Sequence, residues 1–250
     1  MALNGRMSRP FQDLLRWLSA HVELGLAALL AIAAAAVLAF VAIADEVIEG
    51  ETHGFDEAVL LALRAPGDPA DPLGPPWVEE MARDLTALGG TGVLTFLTLA
   101  AAGLLVLQRR RGTALYLLGA VGSGILLSST AKVLFDRPRP DLVPHGSHVY
   151  TASFPSGHSL MAAVVYLTLA VLVARGFPER GVKIYVVALA LLVTLAVGVS
   201  RVYLGVHWPT DVLAGWAAGG AWALACAALA RVLSRGGAIE AESASPGADR

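Results

Sequence analysis

Residues 113–134 read TALYLLGAVGSGILLSSTAKVL, an apolar run whose only charge, Lys132, stands close to its end. A helix rises about 1.5 Å per residue, so about 20 apolar residues cross the hydrocarbon core of a bilayer. This run has that length and no polar face, and it reads as a membrane-spanning helix. Gly119, Gly122 and Gly124, with Ser123, Ser128 and Ser129, suit close contact with a neighbouring helix. Working outward, five more runs qualify: Leu24–Ala44, Gly89–Leu107, Ser159–Ala174, Ile184–Val199 and Asp211–Val232. The first, third and sixth span comfortably; the fourth and fifth are shorter, with flanking polar residues that suit a protein-lined pocket. The expected fold is all-α, a six-transmembrane helix bundle with a short interfacial helical loop between spans 1 and 2.

Composition agrees. The chain of 250 residues is 56% hydrophobic and only 15% charged, with mean hydropathy +0.65, whereas a soluble domain carries about 25% charged residues. Lipid is therefore the solvent for much of it, and the bilayer its standing partner. A net charge of −2 supplies no field for nucleic acid. The single cysteine, Cys226, lies in an apolar run and reads as a packing residue. Trp77, Tyr150, Tyr203 and Trp208 fall at run edges, where aromatic rings anchor spans to the interface. The first run ends in Ala42-Ile43-Ala44, a small-x-small triplet, yet it is too long for a secretory signal core and reads as an uncleaved span.

Lysine and arginine set the orientation. Arg6, Arg9 and Arg16 precede the first span; Arg109–Arg111, then Arg175, Arg180 and Lys183, join later ones; Arg231 and Arg235 follow the last. These alternate ends belong on the cytoplasmic side. Residues 1–23 then form a cytoplasmic N-terminal segment, 24–235 the six-span domain and 236–250 a small, polar, disordered cytoplasmic tail. The acidic Asp45–Leu88 loop lies outside, with Trp77, Met81, Leu85 and Leu88 as an apolar packing stripe. Lys132, Arg137, Arg139 and Arg201 also fall on the outer side, where topology does not call for them.

Three clusters at the outer span ends account for most of that charge. They are Lys132 with Arg139-Pro140; Pro155-Ser156-Gly157-His158; and Ser200-Arg201, His207 and Asp211. Because spans alternate direction, all three reach one face of the bundle. Lys132, Arg139 and Arg201 offer permanent cations, two with forked donors that match phosphate oxygens. Ser156 stands at an N-cap, and Gly157 leaves the N–H groups of that helix start open to an anion. Two histidines complete the set, one with Asp211 four residues on. Pro209 suits the first turn of the last span and brings Asp211 within reach of the His207 ring.

Cations and backbone donors of this kind stabilise the charge of a phosphoryl-transfer transition state. The expected roles are His207 as nucleophile, Asp211 holding its tautomer, and His158 as acid and then base. Singly, Lys132 and Arg201 would read as snorkelling helix ends, Arg139-Pro140 as a turn, Ser156-Gly157 as a cap and His207–Asp211 as a structural bond. Their joint arrival on one face favours a site. Arg137, His145 and His148 match no position of the pattern and read as loop charges or headgroup contacts; His21 and His53 have no evident partner.

The pattern Lys132-x6-Arg139-Pro140, Pro155-Ser156-Gly157-His158 and Ser200-Arg201-x5-His207-x3-Asp211 resembles the signature of the type 2 phosphatidic acid phosphatase superfamily at every fixed position. The motifs cover roughly Ala114–Ala230. The resemblance implies a metal-independent phosphatase with no cofactor and a lipid phosphate as substrate, with the roles just given. Bacterial membrane members act on phosphatidic acid, phosphatidylglycerol phosphate or polyprenyl diphosphates; undecaprenyl diphosphate is the first expectation here. Two rivals are weaker. A transporter would carry polar residues through its spans, whereas these cluster at one end. A phosphotransferase would use the same histidine and differ only in its acceptor.

Overall fold

The computed structural model describes residues 24–146 and 151–239. The expectations for Arg6, Arg9, Arg16, His21, His148, Tyr150 and residues 240–250 fall outside them. Eight helices are described: α1 (Leu24–Glu49), α2 (His53–Ala62), α3 (Pro76–Leu88), α4 (Thr91–Leu107), α5 (Arg111–Phe135), α6 (Gly157–Arg175), α7 (Arg180–Tyr203) and α8 (Pro209–Arg235). A two-stranded antiparallel hairpin, Arg64–Ala65 with Asp68–Pro72, lies between α2 and α3. Its second strand reads DPADP, a composition averse to strands, so nothing local announces it.

Five helices, α1, α5, α6, α7 and α8, are long and apolar enough to cross a membrane. The second apolar run becomes α4, which has 17 residues and follows α3 across a 46° bend. Gly89 and Gly90 make that bend. Their N–H groups close the end of α3 on Thr86 and Ala87, and Gly90 turns extended to start α4.

Helix α6 sits at the centre, in contact with α4, α5, α7 and α8, while α1 lies along α8. Backbones come close between α6 and α8. A Cβ on Gly215 would stand 2.7 Å from the Ser156 carbonyl oxygen, and one on Gly219 2.4 Å from that of Leu160. The close contact expected of the third run is made by Gly124, against Val164; Gly119 and Gly122 face open space. Outward, large apolar side chains such as Leu126, Val133 and Ile184 are exposed, as lipid-facing surfaces require.

The segment between α1 and α4 packs in a different register from the one expected. Trp77 and Met81 face outward, and α3 instead buries Ala82, with Val78, against Tyr203, Leu204 and Val206, and Thr86 against Arg201. Trp208 is buried rather than interfacial and donates its ring N–H to the Pro138 carbonyl at 3.1 Å. Tyr203 is buried as well, its hydroxyl donating to the Leu73 carbonyl at 3.1 Å. Beyond α8, Ile239 is buried with Tyr116, Ala120, Cys226 and Ala230, so the start of the expected disordered tail is seated on the bundle.

Candidate active site

The loop ends of α5, α6, α7 and α8 surround a cavity of about 590 Å³. Its polar end is formed by Lys132, Arg139, His158, Arg201 and His207, with Gly157 and Thr151 beside them. Its apolar end runs between α4 and α5, along Leu94, Leu99, Leu118, Val121 and Ile125. Gly122, Ser128 and Ser129 line this wall too, which explains the small residues of the third run: they make room for an occupant.

His207 sits in the short connection between α7 and α8. Gly205, at φ +70, makes the turn, and a Cβ there would meet Val143 at 2.5 Å. The His207 ring is almost fully buried. Its Nδ1 lies 3.2 Å from Asp211 Oδ2, and its Nε2 lies 3.1 Å from a guanidinium nitrogen of Arg139. Arginine can only donate, so Nε2 carries the lone pair and Nδ1 carries the proton, which it donates to Asp211. Burial drives the His207 pKa down to about 4. The hydrogen bond and charge of Asp211 pull it up, and Arg139 and Arg201 push it further down. At neutral pH the ring is an uncharged base aimed into the cavity.

Asp211, wholly buried, is saturated with donors. Oδ2 accepts from His207 Nδ1, from the Ser153 hydroxyl and from the Trp208 N–H at 2.9 Å. The last of these closes the first turn of α8, with Pro209 at its first position. Oδ1 accepts from Arg137 at 2.7 Å.

Two of the three cations, Lys132 and Arg139, are held by backbone carbonyls. Lys132 Nζ donates to Ala152 at 2.7 Å; Arg139 donates to Thr151 at 2.8 Å and Val206 at 2.6 Å. Gly157 lets Lys132 pass, since a Cβ there would stand 3.2 Å from its Cε. Arg201 is 1% exposed. It donates to the Thr86 hydroxyl at 3.0 Å, and its Nε is buried without a partner. A buried unpaired guanidinium N–H is costly, and at a cavity wall it calls for an anion. Among the described residues no cluster of histidine, cysteine and carboxylates is arranged to hold a metal ion.

Seven of the eight residues expected from sequence (Lys132, Arg139, Gly157, His158, Arg201, His207 and Asp211) meet at this cavity, Asp211 from behind the His207 ring. Ser156 is fully buried and off the cavity wall; its hydroxyl accepts from Ser159 N–H at 3.4 Å and caps α6. The sequence reading missed Asp56, Thr86, Ser153 and the place of Arg137. Arg137 lies in the loop after α5, as expected, but its charge is committed there: it bridges Asp211 and Asp56. His145 is a loop tie, its Nε2 2.7 Å from the Pro140 carbonyl oxygen.

Residues 113–235 match the model of the PAP2 superfamily. Phosphatidylglycerophosphatase B of Bacillus subtilis is 35% identical over 147 residues, which are 58% of this chain and 71% of that protein. An undecaprenyl-diphosphatase of Sulfolobus acidocaldarius is 29% identical over 46% of this chain and 54% of its own. The crystal structure of a transmembrane PAP2-type phosphatidylglycerolphosphate phosphatase from Bacillus subtilis superposes with a TM-score of 0.73 at 30% identity, covering 81% of this chain and 98% of that one. The chain belongs to the PAP2 superfamily, as a multi-pass membrane lipid phosphatase.

Proposed function

We propose that this enzyme hydrolyses the terminal phosphate of a lipid phosphomonoester or diphosphate through a phosphohistidine on His207. The carrying observation is the His207 ring, its Nε2 lone pair aimed into a cavity that is cationic at one end and apolar along the other. Lys132, Arg139 and Arg201 take the phosphate oxygens, and the unpaired Nε of Arg201 supplies one ready donor. The N–H groups at the start of α6, capped by Ser156 and left open by Gly157, add to the anion site. Arg139 donates to Nε2; an incoming phosphate draws that donor away and frees the lone pair.

Nε2 then attacks phosphorus in line, and the bond to the leaving oxygen breaks as His158 gives it a proton. The positive charge left on the ring is balanced by Asp211 through Nδ1. In the second step His158 takes a proton from water, the hydroxide attacks phosphorus, the P–N bond breaks and inorganic phosphate leaves with His207 restored. Three fixed cations do the charge work that a metal ion does elsewhere, which supports a metal-independent reaction with no cofactor.

The apolar run between α4 and α5 suits an acyl or prenyl chain, and undecaprenyl diphosphate is the first candidate, ahead of phosphatidylglycerol phosphate and phosphatidic acid. In the bilayer, α4 completes a sixth crossing with α3 beside it at the interface. Arg109–Arg111, Arg175, Arg180, Lys183, Arg231 and Arg235 gather at the helix ends opposite the site; the preference of such charge for the cytoplasm supports a site on the extracytoplasmic face of the cell membrane with both termini inside.

The test is phosphate release by detergent-purified protein in excess EDTA from these three lipids, wild type beside His207→Ala. Release that survives EDTA and disappears in the variant is expected. Release that needs a metal, or that persists in His207→Ala, would overturn the mechanism.

A further inference from the structure

Arg137 has no part in the chemistry above, yet its side chain is only 12% exposed. It spends its donors on four acceptors: Asp211 Oδ1 at 2.7 Å, Asp56 Oδ2 at 2.8 Å, Thr210 Oγ1 at 2.9 Å and Thr52 Oγ1 at 3.3 Å. Its guanidinium carbon also lies 5.6 Å from the centre of the Trp208 ring. Asp56, wholly buried, accepts in addition from the Thr210 N–H at 2.9 Å and the Thr210 hydroxyl at 2.7 Å. One cation therefore stands between two buried carboxylates, and one of these accepts the hydrogen bond of the His207 Nδ1–H. Leaving two such carboxylates without a cation is strongly unfavourable, so the arrangement holds as a unit.

We propose that Arg137, clamped by Asp56, is a positioning residue of the reaction: it fixes the Asp211 carboxylate on the His207 ring and withholds part of that carboxylate's charge from it. The division of labour follows from the geometry. Oδ1 of Asp211 belongs to Arg137 and Oδ2 faces the ring, so the carboxylate cannot rotate without breaking the ion pair. The cation behind it also weakens its pull on the Nδ1 proton. Asp56, 81 positions from Arg137 in sequence, competes for the same guanidinium and moderates that effect.

The other groups facing the His207 ring are Arg139 from the connecting loop, Arg201 from α7 and His158 from α6, with Lys132 of α5 acting on Asp211. None of them touches the Asp56–Arg137 pair, so changes there report on it alone. Removing the cation strengthens Asp211 as an acceptor and raises the proton affinity of His207. Removing the Asp56 charge leaves Arg137 to Asp211 alone and lowers it. A purely structural tie would give no such opposed pair of signs.

The inference rests on His207 as the proposed nucleophile, and its test reads the ring without turnover. NMR of isotope-labelled histidine ring carbons in detergent micelles follows the His207 titration, the signal being assigned by its loss in His207→Ala. Arg137→Gln is expected to move the midpoint up by about one pH unit, and Asp56→Asn to move it down. Phosphate release from dioleoyl phosphatidic acid, run in parallel, is expected to fall roughly a hundredfold in kcat for Arg137→Gln, with a smaller change in KM. Arg137→Lys, which keeps the charge but reaches one carboxylate at a time, should recover the midpoint and only part of kcat. Midpoints unmoved in both charge-removing variants, or moved in the same direction, would overturn the proposal. If Arg137→Gln does not fold, Asp56→Asn decides by its sign. A midpoint that moves as expected while His207→Ala retains full phosphate release would sink the nucleophile and leave the hold of Arg137 on the ring standing.

Discussion

Asp211→Asn replaces one oxygen by an NH2 donor where both positions already face donors. Of the two carboxylate oxygens, one accepts from Arg137 and the other from His207 Nδ1, Ser153 and the Trp208 N–H. An amide nitrogen at the first position faces a guanidinium that can only donate. At the second it opposes the Trp208 N–H and forces His207 to carry its proton on Nε2, facing the Arg139 donor. The first arrangement weakens the hold on the ring and the second removes the nucleophilic lone pair.

Where a triad carboxylate elsewhere is replaced by amide and the tautomer inverts, kcat falls about ten-thousandfold. Here the arginine-facing orientation leaves a fraction of rings in the productive tautomer. The expected loss is therefore about a thousandfold to ten-thousandfold, or roughly 4 to 5.5 kcal/mol of barrier. Because Asp211 does not line the cavity, the loss should appear in kcat, with KM nearly unchanged. The assay is steady-state phosphate release from dioleoyl phosphatidic acid in mixed micelles, with a thermal melt of each protein in the same detergent. A kcat loss below about tenfold in a variant that melts like wild type would refute the tautomer argument.

Three further outcomes follow from the geometry. His207 is held at about 4, below its ordinary 6.5, by burial, so the neutral nucleophile is lost only as pH falls through about 4; a pH profile of kcat/KM with its acid limb near 6.5 would contradict this. Thr86→Val removes the hydroxyl that fixes Arg201, and a rise in KM of roughly fivefold to tenfold with kcat nearly kept is expected in lipid titrations, the loss of one charge-assisted bond. Gly219→Val drives a side chain into the Leu160 carbonyl oxygen and should cost about 2–3 kcal/mol in detergent unfolding, whereas Gly119→Ala, in open space, should be neutral or stabilising by about 0.5 kcal/mol; equal effects at the two sites would refute the assigned α6–α8 crossing.

The sequence made legible what is repeated locally. Six apolar runs became five spanning helices and one short one, with ends within a few residues of expectation, because lipid demands length and hydropathy and both are written along the chain. The motif residues were legible because cations, histidines and a capped, glycine-bearing helix start gather near the ends of apolar runs. Partnership across long separations was not. Asp56 looked like one more acid in an acidic loop, and Arg137 like an ordinary neighbour of Arg139, since the bonds that join them span 81 positions. Thr86 met Arg201 across 115. The stripe of Trp77 and Met81 misled for a related reason: beside a bilayer an apolar face points outward as readily as inward, so periodicity locates the stripe without saying which neighbour it meets.

The segment between α1 and α4 puts a boundary in question. The shared family segment spans 113–235 and holds every motif residue, yet Thr52, Asp56, Arg64 and Thr86 all precede it. Asp56 grips the start of α8, the Arg64 guanidinium donates to the Tyr203 carbonyl at the end of α7 at 3.0 Å, and Thr86 steadies Arg201. A chimera that grafted 113–235 onto the front half of a relative would thus inherit the reagents without the jig that holds them. Exchange of that segment together with the core is the transplant that should preserve turnover, and the segment is the place to look when relatives with the same motif differ in speed.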